Sequence, residues 1–402
     1  MFSVKSGNSD LTRLAGFSMV IFAAALFPGF TVLRENRLAR GVPTAQWQST
    51  EPVYTIALVI LLAAVVITLV FFKSRSFYPV LLAVLGNLLI LFVFLALVEA
   101  SIFLLERGTV LSRISLGAGA WMMLLGGYIL TVSAVKEIAS VPVRIMLTYL
   151  SLVFLVIFGI EGLFSHLSLV QEFSAKKGRF VQEFYHHLSL SFSSVGLAVL
   201  IGIPLGVHAY RKKRAEKSIF YFVNTAQTIP SLALFGLLIA PLSYLYTRFS
   251  FFRTLGIRGT GSVPALIALT LYALLPVTRN IYTGLKAVDP VIIQAGKGMG
   301  LSRFQLLFTI EIPLAVPIML NGLRLAAVQA IGNTTVAALI GAGGFGFFIF
   351  QGLGQAATDL ILLGALPVVI LAVFVDRLML LITGLLTPRG VKLRNMNTGG
   401  QV

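Results

Sequence analysis

The sequence predicts an all-α membrane protein, a polytopic helical bundle. Of its 402 residues 57% are hydrophobic and only 11% are charged. The apolar stretches run to about twenty residues, the length with which an α-helix crosses the roughly 30 Å hydrocarbon core of a bilayer. A helix also satisfies its backbone hydrogen bonds internally, as a lipid-facing segment must.

About ten transmembrane helices follow from the apolar runs and the charges that bound them. They lie at 14–33, 53–72, 79–105, 114–135, 145–164, 188–209, 219–246, 262–284, 317–340 and 361–387. The first run follows Lys5 and Arg13 and is long for a secretory signal, so we expect it to remain as a signal-anchor.

Basic residues predict that the N- and C-termini are cytoplasmic, because Lys and Arg are enriched in cytoplasmic loops. The strongest basic loop carries Arg211, Lys212, Lys213, Arg214 and Lys217, whereas 341–359 carries neither Lys nor Arg and is expected outside. The bias is weaker in the N-terminal half, where this orientation leaves Arg34, Arg37 and Arg40 outside.

The net charge of +17 does not indicate a nucleic-acid partner, because the basic residues lie in loops that meet anionic membrane lipid. Cysteine is absent, and the adjacent His186 and His187 lack the spacing of a metal site, so neither a metal nor a cofactor is expected. No nucleophile and base are arranged for catalysis, so an enzyme is not expected.

A polar segment at 165–187 predicts a domain boundary near residue 175. It separates an N-terminal membrane extension of about five helices, 1–175, from a second unit of about five helices, 176–390, and 391–402 forms a cytoplasmic tail. The halves are unrelated, which weighs against a secondary transporter built from inverted repeats.

The most informative stretch is the polar loop 286–313 between two spans. Asp289 and Pro290 are typical of a helix start, Gly298 and Gly300 tolerate positive φ where that helix stops, and Ser302 with Gln305 forms a capping box. Pro313 is expected to end or kink the second helix. The result is an L-shaped knob for docking a partner; the alternative is an ordinary interfacial helix.

This loop resembles that of ABC importer permeases, in which Glu-Ala-Ala, a later Gly and Ile-x-Leu-Pro recur at fixed spacing. Gln294, Gly296 and Ile312 depart from that pattern conservatively. The resemblance implies an ATPase-coupling set of Gln294, Ala295, Gly296, Gly300, Ile310, Glu311 and Pro313. It also implies a type I permease core with cytoplasmic ABC ATPase subunits, a second permease chain and a solute-binding protein as partners. ATP hydrolysis belongs to the partner, since the chain has no P-loop motif.

A polar run with a proline interrupts the seventh span, and polar groups in a span must face protein or water. We expect a broken helix that lines the translocation path through Asn224, Gln227, Thr228, Pro230 and Ser231. The alternative is a proline kink without a role in transport.

The segments 227–239, 266–276 and 339–346 resemble those of glycine betaine and choline permeases, over about residues 185–388. The N-terminal extension is similar to that of a subgroup with extra spans. The resemblance implies import of glycine betaine or a related osmoprotectant by alternating access. The alternatives are another small solute such as an amino acid or other quaternary amine, an ion-coupled secondary transporter, and a non-transporting scaffold.

Two further features lie in or beside spans. The run Gly341-Ala342-Gly343-Gly344-Phe345-Gly346 matches a dinucleotide fingerprint only formally, without a βαβ context, and predicts an external loop with aromatic rings at headgroup depth. The family resemblance implies docking of a binding protein at Gly343, Gly344, Phe345 and Gly346. Arg324 lies deep in a span with no partner identifiable from the sequence, and Asp376 is expected to snorkel.

Overall fold

A computed structural model describes residues 7–26, 29–36, 39–73, 75–106, 112–254 and 256–388. Within these ranges nine helices are long and apolar enough to cross a membrane, and Leu11–Ala23 is a shorter apolar helix. The all-α polytopic class is thereby confirmed. The proposed tail at 391–402 lies outside the described residues, as does Arg37.

Contacts divide the chain into two units. The first comprises the residues up to Ala175 together with Gln355–Asp359, and the second comprises Lys176–Gly354 and the residues from Leu360 onward.

The first unit contains seven helices and a three-stranded sheet among its described residues, with most of its buried side chains on two central helices. In chain order its elements are α1 Gly7–Ala25, β1 Thr31–Arg34, β2 Val42–Thr44, α2 Gln46–Ser49, α3 Pro52–Phe71, α4 Tyr78–Leu105, β3 Arg113–Leu116, α5 Ala118–Lys136, α6 Val141–Ile160 and α7 Ser168–Ala175. Helix α4 packs against α3, α5 and α6, and α5 also packs against α1.

The sheet corrects two predicted spans. The run 14–33 ends as a helix at Ala25 and continues as β1, and the run 114–135 begins in β3 before α5 starts. The physical reason for the first lies in Gly29, a poor helix former, and in the β-branched Thr31 and Val32 that follow it and favour a strand. The strands are antiparallel in the order β2-β1-β3, and Arg34 lies opposite Arg113.

One buried amide ties α4 to α6. Asn87 is fully buried, and its Nδ2 donates to the Leu147 carbonyl at 3.0 Å while its Oδ1 accepts from the Ser151 amide at 3.0 Å. Leu147 and Ser151 are four residues apart in α6, so Asn87 bonds the carbonyl and the amide that an α-helix would pair with each other. Such polar contacts hold helices together where water is absent.

The second unit has α12 at its centre, packed against both α8 and α15. Its helices are α8 Lys177–Arg211, α9 Lys213–Thr228, α10 Ser231–Arg248, α11 Ser250–Thr254, α12 Ser262–Lys286, α13 Pro290–Gly298, α14 Arg303–Leu306, a π-helical turn Leu307–Glu311, α15 Ile312–Ala337, a 3-10 turn Ala338–Ile340, α16 Gly346–Gly354 and α17 Thr358–Leu386. A Cβ on Gly202 or Gly206 of α8 would come within 2.8 Å of Val277 or 2.7 Å of Ile281, so these glycines permit the close approach of α12.

Helix α8 begins earlier than the predicted span 188–209. It takes in the polar residues from Lys177 onward, which belong to the polar segment 165–187. Its 35 residues extend about 52 Å, well beyond the roughly 30 Å of a hydrocarbon core. The predicted span 219–246 is broken, as expected, with α9 ending at Thr228 and α10 beginning at Ser231.

Candidate functional site

The loop 286–313 forms two helices joined by a sharp turn, which we call the elbow (residues 289–313). Asp289 caps the first of them, since its Oδ1 accepts a hydrogen bond from the Val291 amide at 2.9 Å, and Pro290 occupies the first helical position. Both roles were predicted, because a cap satisfies an amide that the first turn leaves unpaired.

The first elbow helix ends in a Schellman motif centred on Gly300. This glycine has φ of +81°, its amide donates to the Lys297 carbonyl at 3.0 Å, and the Leu301 amide donates to the Gly296 carbonyl at 3.2 Å. Of the two glycines that tolerate positive φ at this helix end, Gly300 adopts it, and Gly298 is the last residue of the helix.

The second elbow helix begins with the predicted capping box. The Ser302 amide donates to Gln305 Oε1 at 2.8 Å, and the Gln305 amide donates to Ser302 Oγ at 3.3 Å. Pro313 does not end this helix, contrary to prediction. The π-helical turn Leu307–Glu311 precedes it, Pro313 occupies the first turn of α15, and a proline there lacks only an amide that an α-helix leaves unpaired.

The proposed coupling residues divide between the outside and the inside of the elbow. Gln294 and Ala295 are exposed, and Gly300 forms the turn. Gly296 is buried, and a Cβ there would lie 2.7 Å from both Leu306 and Ile310, so glycine lets the two helices pack closely. Ile310 and Pro313 are partly buried, and Glu311 is only 4% exposed, with Oε1 accepting from the Tyr210 hydroxyl at 3.5 Å.

The elbow exposes several large apolar side chains. Val291, Met299, Phe304 and Phe308 are each between 64% and 73% exposed. These side chains were not among the predicted coupling residues, and exposed apolar patches of this kind mark contact surfaces.

The break between α9 and α10 is held by a reciprocal pair of hydrogen bonds with α12. Gln227 Nε2 donates to the Tyr272 carbonyl at 2.6 Å, and the Tyr272 hydroxyl donates to the Ile229 carbonyl. Residue 276 is proline, so the Tyr272 carbonyl has no amide four residues on to accept from. Gln227 supplies the missing donor.

The other proposed path residues are more accessible. Asn224, Thr228 and Pro230 are exposed and Ser231 is partly buried, and the Thr228 hydroxyl donates to the Thr225 carbonyl of its own helix at 2.8 Å. The five residues therefore include accessible polar groups and one amide, Gln227, that is engaged in packing.

The glycine loop lies inside the second unit. Gly343 and Gly344 have φ of +77° and +83°; the Gly344 amide donates to Glu183 Oε2 at 2.6 Å, and the Phe345 amide donates to His187 Nδ1 at 3.3 Å. Phe345 is 0% exposed, and its ring lies against Phe180, Phe184 and His187. Gly344, Phe345 and Gly346 are buried and Gly343 is partly buried, and docking of a binding protein through these four residues stays a prediction.

Arg324 has a partner that the sequence left open. Its Nε donates to Asp376 Oδ1 at 2.6 Å, which joins α15 to α17. The sequence does show opposite charges in separate spans, which could have suggested this ion pair. It does not show which spans are adjacent. Among the described residues no cluster of three or more His, Cys, Asp or Glu is placed to hold a metal.

Comparison with known proteins places these features in a family. Residues 198–389 match the family described as binding-protein-dependent transport system inner membrane component, and residues 11–170 match the N-terminal domain of the ABC transporter permease YehY. The glycine betaine/carnitine/choline transport system permease protein OpuCB of Bacillus subtilis is 37% identical over 206 residues, which are 51% of this chain and 88% of OpuCB. The chain belongs to this family of permeases.

Other known proteins are also similar to this permease. The carnitine transport permease protein OpuCB of Listeria monocytogenes is 38% identical over 54% of this chain and 91% of its own length. The osmoprotectant import permease protein OsmW of Salmonella typhimurium is 39% identical over 52% of this chain and 92% of its own. The MetNI methionine ABC transporter in an inward-facing structure is 22% identical over 53% of this chain and 99% of its own, with a TM-score of 0.47.

Membership defines the general role of the chain. It is a multi-pass inner-membrane component of an ABC importer and a transport subunit rather than an enzyme, because ATP hydrolysis in these systems belongs to a separate subunit. The family implies an ATPase and a substrate-binding protein as partners.

Proposed function

We propose that this permease imports glycine betaine or a closely related quaternary amine. The observation that carries the proposal is the 37% to 39% identity with permeases named for glycine betaine, carnitine, choline and osmoprotectant transport, over most of the length of each. The accessible neutral polar groups of Asn224, Thr228 and Ser231 support a path that passes the break between α9 and α10.

The elbow is proposed as the point where ATP binding in the partner becomes movement in the membrane. Its exposed apolar surface at Val291, Met299, Phe304 and Phe308 suits a cleft in an ATPase subunit, and Gln294 and Ala295 lie beside it. Because both elbow helices are capped and pack through Gly296, they move as a rigid body. A displacement of the elbow by the ATPase then moves α12 and α15, the helices before and after it in the chain, from one packing arrangement to another.

The assembly proposed is a pair of permease chains, each with one elbow facing one ATPase subunit, with N- and C-termini in the cytoplasm. The charge pattern supports this orientation, since the basic loop 211–217 and the elbow then share the cytoplasmic side.

Reconstitution of the permease with its ATPase and binding protein in lipid vesicles tests the proposal. We expect uptake of labelled glycine betaine that requires ATP on the side of the ATPase and stops when the P-loop lysine of the ATPase is replaced. Excess unlabelled choline or carnitine should compete, whereas excess methionine should not. Equal uptake without the ATPase would contradict the proposal, and competition by methionine alone would contradict its solute.

A further inference from the structure

One side of α15 carries polar side chains that are not buried, with the apolar Leu325 and Val328 lying among them and Leu339 just beyond the helix. Asn321 and Gly332 are exposed, and Arg324 and Thr335 are partly buried. At 3.6 residues per turn these four lie on one side of the helix, and the buried residues Gly322, Ala326, Ala330 and Ala337 lie on the other. We call this side the polar stripe (Asn321, Arg324, Gly332 and Thr335). Polar groups at membrane depth face protein or a water-filled cavity.

The charged group on the polar stripe is bonded at one of its nitrogens. Arg324 Nε meets Asp376 Oδ1, and the two side chains remain 31% and 28% exposed. A guanidinium carries five N–H donors and a carboxylate two acceptor oxygens, so the Nη groups of Arg324 and Oδ2 of Asp376 lie outside this bond. Ionised groups in a span are costly and mark ion or solute pathways.

We infer that Arg324 and Asp376 form a binding site for a zwitterionic solute on the translocation path, an inference that rests on the proposed function. Glycine betaine carries a carboxylate and a quaternary ammonium close together. Arg324 can donate two hydrogen bonds to the carboxylate, and Asp376 attracts the ammonium. Without solute the two side chains neutralise each other, so neither remains an unpaired charge in the membrane.

Water access to the polar stripe is the first test, and the absence of cysteine from the chain makes it direct. Gly332→Cys on α15 and Gly196→Cys on α8 are matched, because both glycines are exposed with no atom within 4 Å of an added Cβ. Gly196 shares its face with the exposed Phe192, Leu200 and Ile203. In the full complex we expect a charged thiol reagent to label Gly332→Cys and to spare Gly196→Cys. Equal labelling, or labelling of Gly196→Cys alone, would overturn the inference.

Protection by solute is the second test. Asn321→Cys lies one turn from Arg324, and we expect glycine betaine at a concentration about tenfold above its Kd to slow the labelling about tenfold, because the site is then about 90% occupied. Arg324→Gln should abolish protection by glycine betaine and retain protection by choline, a cation without a carboxylate. Asp376→Asn should abolish both. Glycine betaine that protects the Arg324→Gln variant equally well would overturn the inference.

A purely structural ion pair gives a different result. The exchanged variant, Arg324→Asp with Asp376→Arg, separates the two roles. We expect it to assemble but to lose protection by glycine betaine. If it shows both assembly and protection, the pair only joins α15 to α17 and the site is refuted. Labelling does not depend on ATP-driven uptake. Protection without uptake would therefore contradict the proposed function, and uptake without protection would contradict this site.

Discussion

Gln227 lies in a sequence segment that predicts a solute path, yet its amide serves the backbone of a neighbouring helix. The sequence does contain the signal, since Pro276 follows Tyr272 by four residues and leaves that carbonyl without its helical donor. What the sequence does not reveal is which side chain in a distant helix reaches it. Prediction from local residues therefore identified the broken helix correctly and could not tell a packing amide from an accessible one.

Replacing Gln227 with Leu should destabilise the second unit by about 1–3 kcal/mol, because the Tyr272 carbonyl is then left without a donor. Thermal unfolding of the purified permease in detergent measures this. Thr225→Val is the matched control and should have a smaller effect, since its hydroxyl bonds only to the Tyr221 carbonyl of its own helix. Pro276→Ala restores the backbone donor, so it should reduce the cost of Gln227→Leu in a double-mutant cycle. Additive effects would contradict this explanation.

Asn87 provides a contrasting case for the same kind of substitution. Its two partners in α6, the Leu147 carbonyl and the Ser151 amide, are four residues apart and can bond to each other once the side-chain amide is gone. We therefore expect Asn87→Leu to cost about 0.6 kcal/mol, with about 1.7 kcal/mol as an upper bound. Thermal unfolding of both variants tests this ranking of their stability losses. A larger loss for Asn87→Leu than for Gln227→Leu would show that the Leu147 carbonyl and the Ser151 amide do not bond to each other.

At the scale of elements, the elbow was the most predictable region. Its caps depend on residues two to five positions apart, so Asp289, Gly300 and Ser302 could be assigned without knowledge of the fold. The strands β1 and β3 could not be assigned, because each has four residues and continues an apolar run whose composition fits a helix equally well. The burial of the glycine loop was missed for another reason, since it depends on Glu183 and His187 in a distant part of the sequence.

Gly300→Val should uncouple transport, because a β-branched residue at φ of +81° is strained by at least about 1–2 kcal/mol and the turn of the elbow must change. Gly298→Val is the matched control, since Gly298 is helical with open space around its Cα. We expect ATP-dependent uptake by the reconstituted complex to fall several-fold in the first variant and to persist in the second. Equal uptake by both would contradict coupling through the elbow turn.

For the whole molecule, the first unit is not continuous in sequence. It includes Gln355–Asp359, and Ser115 Oγ donates to Asp359 Oδ2 at 2.5 Å in a position where Asp359 is only 4% exposed. Arg34, Arg113 and Ser115 lie on the same face of the sheet, since residues opposite one another or two apart share a face. Asp359 therefore places a negative charge on the face where Arg34 and Arg113 lie directly opposite each other. Without a counter-charge, two like charges in that position destabilise a sheet.

Asp359→Ala should loosen this sheet. We expect faster hydrogen exchange of the backbone amides in β1 and β3, corresponding to a local loss of about 1–3 kcal/mol, since the Ser115 hydroxyl loses its acceptor and the arginines lose a counter-charge. Thr358→Val is the control, because Thr358 accepts only a 3.4 Å hydrogen bond from Arg34 and should change exchange little. Unchanged exchange in the Asp359→Ala variant would show that the sheet does not depend on the acid.

The π-helical turn at Leu307–Glu311 contains one residue more than an α-helix would use for the same bonding pattern. Each residue of an α-helix advances the chain by about 100° around the axis and about 1.5 Å along it. This single extra residue therefore sets the angle, around the helix axis, at which the elbow presents its apolar side chains. Deletion of Thr309 would return the turn to α-helical geometry and rotate the elbow by nearly a third of a circle, with Val291, Met299, Phe304 and Phe308 all retained.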